Sequence, residues 1–215
     1  DAERDGDRIC AVISSSAVNQ DGASSGLTVP NGGAQQRLIG TVLARAGLDG
    51  GDVDYLEAHG TGTPLGDPIE VQAAAAAYAG SRDADRPLLM GSVKTNIGHT
   101  ESASGAAGLI KVVLSLQHEL LPESLHFDNP SPHIPWASLP VRVVDEATPW
   151  HANGRPRRAG VSSFGFTGTN AHVLIEEAPA TVEPSDAAPE ASTAPVVVLP
   201  LSARSPEALA ALARR

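Results

Sequence analysis

The hydrophobic and polar positions of this chain predict an alternation of strands and helices. An apolar run over 8–13 is typical of a buried strand, and residues 14–26, rich in Ser, Asn, Asp and Gly, predict a loop. Asn31 is placed to cap a helix that runs to about Ala46, and Gly47 stands where such a helix ends. The apolar stripe of this helix is formed by Leu38, Ile39, Val42 and Leu43.

The middle of the chain repeats this pattern around two polar segments. Strands are predicted over 53–57 and 88–93, and each leads into a segment that carries a histidine. Between them, Asp67 is placed to cap an alanine-rich helix, with Pro68 at its first position and Glu70 three residues after the cap. This arrangement predicts a helix that begins directly after the first polar segment.

A further helix, predicted over 104–119, is apolar on almost every side, which is typical of a helix buried between two layers. A loop with five prolines follows over 122–140. The strand candidates after this loop are 141–144, 159–163 and 172–175. Strands and helices that alternate in this way place the chain in the α/β class.

The composition changes near residue 179, which predicts three parts. Residues 1–178 form one domain, and residues 179–195, rich in Ala, Pro, Glu, Ser and Thr, form a flexible linker. A short strand over 196–199 and a helix from Ser205-Pro206-Glu207 begin a further part, 196–215, which the end of the chain truncates. The first residue is not Met, so we expect the chain to have been cut from a longer one.

Composition and charge exclude several classes of protein. The formal net charge of −10 argues against a nucleic-acid binder, which normally carries a basic patch, and the cluster of Arg155, Arg157 and Arg158 beside a turn predicts a solvated loop. A single cysteine, Cys10, excludes an internal disulfide framework and favours a reducing, cytoplasmic location. Its apolar surroundings predict an inert core thiol. No apolar run reaches the roughly 18 residues of a membrane span, and the polar N-terminus is unlike a signal peptide.

His59 is the first candidate for chemistry, because it follows a predicted strand and precedes a Gly/Thr turn over 60–64. Strand-end loops are where α/β folds usually place reactive groups, and glycines let a ligand approach the backbone closely. Thr61 and Thr63 offer hydroxyls to an amide-bearing arm. The alternative is that His59 only fixes the turn.

His99 is the second candidate, in a polar cluster with Lys94 and Asn96 at the exit of the next strand. Buried polar groups of this kind need partners. A neutral imidazole at a helix N-terminus donates a good hydrogen bond, since the positive helix end disfavours the imidazolium. The alternative is a core histidine whose hydrogen bonds are satisfied.

A metal site is not predicted. The two candidate histidines lie 40 residues apart, and the chain has neither an HxxxH pair nor a CxxC motif. The remaining histidines are expected to be structural or exposed: His118, His126, His133, His151 and His172.

The segment 162–170 is the third candidate, because it holds Phe164 and Phe166, two of the three phenylalanines in the chain. A Gly/Thr turn between strands can present backbone N–H groups to an anion. The alternative is a tight hairpin with two core phenylalanines.

Five segments together resemble one family. They are AVNQDGASSGLTVPNG (17–32), EAHGTGTPLGDPIE (57–70), KTNIGHTESASG (94–105), LHFDNPSPHIPW (125–136) and GVSSFGFTGTNAHVLIEEAP (160–179). Over about 8–179 the chain resembles the C-terminal half of the β-ketoacyl synthase (ketosynthase) domain of a type I polyketide synthase. LPLSARSPEALAAL (199–212) is similar to the start of the ketosynthase–acyltransferase linker of such enzymes, which assigns 196–215 to that linker domain.

The resemblance implies a fold, a reaction and partners. The fold is the C-terminal half of a thiolase-like αβαβα sandwich, in a homodimer. The reaction is the decarboxylative Claisen condensation of an acyl thioester with malonyl- or methylmalonyl-acyl carrier protein, as in antibiotic biosynthesis. The partners are the carrier protein, the N-terminal ketosynthase half and the adjacent acyltransferase domain. No cofactor is expected to bind directly, because the phosphopantetheine arm of the carrier protein brings the substrate.

The resemblance also implies roles for residues. His59 and His99 match the histidines that polarise the malonyl thioester and stabilise the enolate, and Lys94 matches the lysine that supports His99. Phe164 matches the acyl-gating phenylalanine, whose backbone N–H contributes to the oxyanion hole. The residues expected to bind substrate or pantetheine are Thr61, Thr63, Phe164 and Phe166.

One part of the family pattern is missing from these residues. The nucleophilic cysteine of the family lies in a DTACSS-like segment that would precede residue 1, and Cys10 does not match it. We therefore expect this chain alone to be inactive in condensation, and poorly soluble because the 104–119 helix lacks its cover. The alternative function is a non-catalytic carrier-protein-docking or scaffold fragment. A hydrolase or thiolase lacks support, since the single GxSxG match, GASSG (22–26), falls in the predicted polar loop and not at a strand-to-helix turn.

Overall fold

The computed structural model describes residues 1–26, 28–80, 82, 85–179 and 202–212. The chain divides into two units, Asp1–Pro179 and Ala180–Arg215. In the second unit, helix Pro206–Leu212 forms as the sequence predicts, and the hydroxyl of Ser205 accepts the backbone N–H of Ala208. The strand predicted over 196–199 and most of the predicted linker lie outside the described residues.

The described part of the first unit contains a six-stranded sheet in the order β1-β8-β7-β2-β3-β5 and a small pair, β4-β6. The strands are β1 (Ala11–Gln20), β2 (Tyr55–Glu57), β3 (Leu88–Gly91), β4 (Leu120–Leu121), β5 (Val141–Val143), β6 (Thr148–Pro149), β7 (Arg158–Phe164) and β8 (Thr169–Glu177). Strands β7, β2, β3 and β5 run parallel, whereas β8 is antiparallel to both β7 and β1. The carboxyl ends of β2, β3 and β7 therefore meet at one edge of the sheet.

The helices connect these strands. They are α1 (Ala2–Asp5), α2 (Gly32–Ala46), α3 (Gly66–Tyr78), α4 (Lys94–Ile97), α5 (Ser104–His118) and, in the second unit, α6 (Pro206–Leu212). Short 3-10 turns lie at Gly50–Asp52, Glu101–Ala103 and Trp136–Ser138. Helix α2 confirms its predicted caps: the Asn31 side chain accepts the N–H of Ala34, and Gly47 takes the left-handed conformation with φ 67°.

The sheet is covered by helices on both faces, which confirms the α/β prediction. Successive residues of a strand point to opposite faces, so Leu56 joins the core under α2 and α3 while Tyr55 joins the core under α5. The first core contains Val42 and Tyr78, and the second contains Val112. The parallel strands thus lie between two packed layers of helices.

Strand β1 extends into residues that the sequence predicts to be a loop. Its register pairs Ala11 with Glu177 and Gln20 with Thr169, so the loop predicted over 14–26 is wrong up to residue 20. Serine and asparagine have low strand propensity, but backbone pairing along β8 outweighs that local preference. A strand made by pairing cannot be found from the periodicity of its own residues.

Two predictions about burial are also wrong. Cys10 is exposed, because β1 begins at the next residue and the thiol lies outside the core. The arginine cluster predicted to be a solvated loop is instead held by carboxylates. The ion pairs are Arg155 with Asp54 (2.5 Å), Arg157 with Glu119 (3.0 Å) and Glu177 (2.5 Å), and Arg158 with Glu176 (2.6 Å).

Helix α5 buries one side and exposes the other within the described residues. Val112 and Leu116 are buried against the sheet, whereas Ile110 and Leu114 are 58 % and 48 % exposed. The helix is apolar on two sides, as predicted, but only one side is covered within the described residues, so burial between two layers is not observed there. None of the described helices has the length and apolar character to cross a membrane.

Candidate active site

His59 stands at the carboxyl end of β2, in a turn that requires glycine. Gly60 and Gly62 have φ values of 46° and 73°, in the left-handed region. A Cβ atom on Gly60 would lie 2.9 Å from the Cβ of Ser92, so that position also has no room for a side chain. The Gly/Thr turn is thus fixed by both conformation and packing.

The turn is tied to helix α3 by carboxylates. Glu70 accepts the backbone N–H groups of His59 and Gly60 at 2.7 and 2.9 Å, and Asp67 accepts that of Gly62 at 3.1 Å. Burial raises the pKa of Glu70 to about 7 and also raises the pKa of Asp67. A carboxyl pKa of about 7 leaves Glu70 part ionised near neutral pH.

The predicted capping role of Asp67 and Glu70 is wrong. Helix α3 begins at Gly66, its N-cap is Leu65, and no side chain caps it. Because the helix starts earlier than predicted, the two carboxylates point back to the turn before it. The sequence correctly places two acidic side chains near a helix start. The backbone N–H groups that donate to them, however, belong to the preceding turn and not to the helix.

His99 lies beside His59 but is carried by a different loop, the one that follows β3. The short helix α4 follows β3, and Gly98, with φ 74°, turns the chain after it. The backbone N–H of Glu101 donates to Nδ1 of His99 at 2.9 Å. This bond needs an unprotonated Nδ1, so the neutral ring carries its proton on Nε2.

The two imidazoles are neighbours in an edge-on arrangement. Their ring centroids are 5.3 Å apart at an interplanar angle of 81°. The backbone N–H of Phe164 lies 3.4 Å from Nδ1 of His59 as its donor, and the two rings are 5.5 Å apart. His59 therefore also carries its proton on Nε2 when neutral. In this structure the Phe164 N–H expected to serve an oxyanion hole is directed at His59.

The environment keeps His59 neutral. Burial lowers its pKa to about 4, with further lowering by electrostatic interaction with Lys94 and with the His99 ring. Burial also lowers the pKa of Lys94, against the opposing effect of the Glu70 and Glu57 carboxylates. At neutral pH the site thus holds a lysine beside two carboxylates and at least one imidazole that acts as a neutral donor.

A cavity of about 440 Å³ opens onto this site. Six of the seven site residues predicted from the sequence line it: His59, Thr61, Thr63, His99, Phe164 and Phe166. Lys94 is not among the lining residues, but it lies near enough to His59 for its charge to lower the pKa of that imidazole. Phe166 is 78 % exposed, so it is not the core phenylalanine that the hairpin alternative requires. The arrangement supplies hydrogen-bond donors at the end of an open cavity.

Comparison with known proteins identifies the family of this chain. Residues 10–128 match the model of the beta-ketoacyl synthase C-terminal domain, and residues 130–215 match that of the ketoacyl-synthetase C-terminal extension. The chain belongs to the β-ketoacyl synthase family.

The proteins to which this ketosynthase segment is similar include polyketide synthases. It is 56 % identical to erythronolide synthase EryA3 of Saccharopolyspora erythraea, over all of this chain and 7 % of that protein. It is 57 % identical to the spectinabilin polyketide synthase system protein NorB of Streptomyces orinoci, over all of this chain and 10 % of that protein. The chain therefore spans a tenth or less of these multidomain relatives.

Solved ketosynthases share the fold. The oxazolomycin ketosynthase domain OzmH KS7 of Streptomyces albus JA3453 matches with a TM-score of 0.78 and 48 % identity, over 83 % of this chain and 31 % of that one. The ketosynthase from module 6 of the bacillaene synthase of Bacillus subtilis 168 matches with a TM-score of 0.79 and 42 % identity, over 83 % and 32 %. The prediction of a thiolase-like ketosynthase fold is confirmed.

Sequence reasoning missed several polar residues that line this ketosynthase cavity. Glu70 and Asn170 line it, and Asn170 donates to the carboxylate of Asp21 at 2.8 Å. Gln35 is buried, and its Oε1 has no hydrogen-bond partner among the described residues. A buried glutamine in an apolar helix face is a signal that could have been noticed in the sequence, since α2 is otherwise cleanly amphipathic.

The other histidines follow the prediction that they are structural or exposed. His172 is fully buried, with Nε2 2.7 Å from the Tyr78 hydroxyl and Nδ1 3.0 Å from that of Ser162. Burial lowers its pKa to about 3. The exposed ones are His118, His126, His133 and His151. Among the residues of the described ranges, no group of three His, Cys, Asp or Glu side chains is placed to hold a metal ion.

Proposed function

We propose that this segment is the decarboxylating and enolate-stabilising half of a polyketide ketosynthase. The parent domain would join an acyl thioester to malonyl- or methylmalonyl-acyl carrier protein by decarboxylative Claisen condensation. The observation that carries the proposal is the adjacent pair of His59 and His99, whose Nδ1 atoms both accept backbone N–H groups. With Nδ1 occupied in this way, each ring in its neutral form carries its proton on Nε2, which leaves both rings an N–H donor for a substrate oxygen.

These donors match the charge that develops in decarboxylation. When the malonyl C–C bond to the carboxylate breaks, CO₂ leaves and the electron pair moves onto the thioester oxygen as an enolate. Hydrogen bonds from His59 and His99 stabilise that oxygen, and each such donor typically contributes a rate factor of about 10²–10³. The enolate carbon then attacks the acyl thioester on the cysteine of the N-terminal half, and the cysteine thiolate leaves.

The open cavity fits the arm that delivers the substrate. Thr61 and Thr63 line its wall and offer hydroxyls that suit the amides of a phosphopantetheine arm, and Phe164 and Phe166 line the same cavity as apolar surface for an acyl chain. The segment would bind no cofactor of its own, because the arm remains attached to the carrier protein. Its further partners would be the N-terminal ketosynthase half, a second ketosynthase copy and an acyltransferase domain reached through 196–215, with 179–195 as linker, in the cytoplasm.

Complementation tests the proposal. The chain is combined with a ketosynthase N-terminal half that carries the cysteine, malonyl-acyl carrier protein is added, and CO₂ release is followed. We expect release that falls by a factor of at least about 100 in His59→Ala and in His99→Ala. The matched control His133→Ala, at an exposed position, should keep the wild-type rate.

The docking or scaffold alternative makes the opposite prediction. An assembled complex, verified by sedimentation, that binds carrier protein but releases no CO₂ would overturn the decarboxylase proposal and favour a docking function. Release that survives both histidine substitutions would overturn the assigned roles of the imidazoles.

A further inference from the structure

A buried ion pair lies behind the histidine site. Glu57 on β2 is 2 % exposed and pairs with Lys111 on α5, 8 % exposed, at 2.8 Å between Oε2 and Nζ. The Tyr55 hydroxyl donates to the same Oε2 at 2.8 Å and accepts from Lys111 at 2.8 Å. These three side chains form a closed ring of hydrogen bonds in which each polar atom is satisfied.

The second oxygen of this carboxylate reaches the catalytic loops. Glu57 Oε1 accepts the backbone N–H of Val93 at 2.5 Å. Val93 immediately precedes α4, which begins at Lys94 and leads to His99, while Glu57 itself lies two residues before His59. One carboxylate therefore connects the two loops that carry the two imidazoles.

We propose that Glu57 is a positioning residue that fixes the relative placement of His59 and His99 by accepting the Val93 N–H, and that Lys111 and Tyr55 hold its carboxylate in that orientation. The inference rests on the proposed ketosynthase function. Neither Glu57 nor Lys111 is a catalytic residue, since both lie outside the lining of the cavity.

The packing around the carboxylate supports a fixed orientation. Gly108 of α5 lies against it so closely that a Cβ there would be 3.0 Å from Cγ of Glu57. On the other side, a Cβ on Gly91 would be 2.6 Å from the Tyr55 hydroxyl oxygen. Two glycines thus leave room for the polar ring between β2, β3 and α5, and the carboxylate has little freedom to rotate.

A purely structural ion pair is the alternative, and it predicts a different outcome. Removing one charge of a buried pair destabilises strongly, whereas replacing both partners together is often neutral for stability. If the pair only stabilises, any double replacement that restores stability should also restore activity. If Glu57 positions the loops, activity should depend on whether residue 57 still offers an acceptor to Val93.

Two double variants separate these cases in the assembled ketosynthase. Glu57→Gln/Lys111→Met and Glu57→Leu/Lys111→Met both remove the ion pair, but only the first keeps an oxygen that can accept the Val93 N–H. We expect kcat for CO₂ release to recover most of the wild-type value in the glutamine variant. In the leucine variant kcat should be tenfold to a hundredfold lower with KM unchanged, because small displacements of reacting groups cost about that much. Equal kcat in two variants of equal stability would overturn the inference.

A spectroscopic readout keeps the test independent of turnover. The ¹⁵N shifts of the His59 and His99 rings report which nitrogen carries the proton. Both rings should show a fixed Nε2–H tautomer in the wild-type protein and in the glutamine variant, and the His99 ring should lose this signature in the leucine variant. Unchanged ring signals in the leucine variant would contradict the positioning role, even if the wild-type protein released no CO₂ and the proposed function itself failed.

Discussion

Glu70 and His59 are joined by a hydrogen bond of 2.7 Å in which the backbone N–H of His59 donates to the buried carboxylate. The other carboxylate oxygen accepts the N–H of Gly60 at 2.9 Å. One side chain on α3 therefore fixes two successive peptide groups of the turn that carries the imidazole. Burial raises the pKa of Glu70 to about 7, so the charge state of this anchor changes near neutral pH.

The raised pKa of Glu70 predicts a contribution to stability that falls as the pH rises. The unfolded chain releases this proton near 4.5, while the folded protein keeps it until about pH 7. The folded state binds more protons in that interval, so the free energy of unfolding decreases across it by on the order of 3 kcal/mol. Urea unfolding of the assembled wild-type and Glu70→Gln proteins across the interval measures the difference. Identical pH dependence in both proteins would contradict the assignment.

His172 predicts a contribution of the opposite sign. Its folded pKa of about 3 lies below its ordinary value of 6.5, so the unfolded state binds more protons between these values. Stability from this group is complete above about pH 6.5 and is lost as the pH falls toward 3, with about 2 kcal/mol gone near pH 5. His172→Asn should remove this part of the pH dependence in unfolding measurements. The exposed control His151→Asn should leave it in place.

Two glycine substitutions should change stability in opposite directions. A Cβ on Gly160 would lie 2.4 Å from the Tyr78 hydroxyl and 2.8 Å from His172, so Gly160→Ala must displace a buried hydrogen-bonded pair. We expect a loss of at least about 2 kcal/mol. Gly40 lies in helix α2 with open space around it, so Gly40→Ala should stabilise by about 0.5–1 kcal/mol. Thermal unfolding checks both, and a stable Gly160→Ala protein would show that the contact relaxes.

The uncovered side of α5 should control solubility. Ile97, Ile110 and Leu114 are between 48 % and 58 % exposed and form an apolar surface with Leu120. We expect the isolated chain to self-associate, and Ile110→Lys/Leu114→Lys to reduce that association while weakening binding to an N-terminal ketosynthase half. Sedimentation velocity measures both effects. A monodisperse wild-type monomer at high concentration would contradict the expectation.

Local signals in the sequence predicted the elements that local chemistry defines. The Asn31 cap and the Gly47 stop bound α2 correctly, because both act through the nearest turn of the helix. Strand β1 was missed beyond its apolar start, since its polar half is held by β8, more than a hundred residues away in the chain. The prediction fails because the pairing of this half with β8 is not encoded in the local pattern of hydrophobic and polar residues.

The residues of the candidate site also divide into those that local sequence signals predict and those that only the folded structure reveals. His59 and His99 were found because glycine-rich turns at strand ends mark places for chemistry, and the structure brings the two rings together. Asp67 and Glu70 have the sequence pattern of a cap and its partner three residues later, since acidic residues near a helix start look the same whichever N–H groups they accept. Lys111 gave no signal at all, because a lysine in an apolar helix is expected to be exposed until its buried partner, Glu57, is known.

CO₂ release without the nucleophile tests the central claim most directly. The chain is assembled with an N-terminal half whose cysteine is replaced by alanine, and release from malonyl-acyl carrier protein is compared with that of the His99→Ala form. Because the decarboxylation machinery is assigned to this chain, we expect release to persist without the cysteine, with no condensation product, and to disappear in His99→Ala. Release that requires the cysteine, or that survives His99→Ala, would contradict the account.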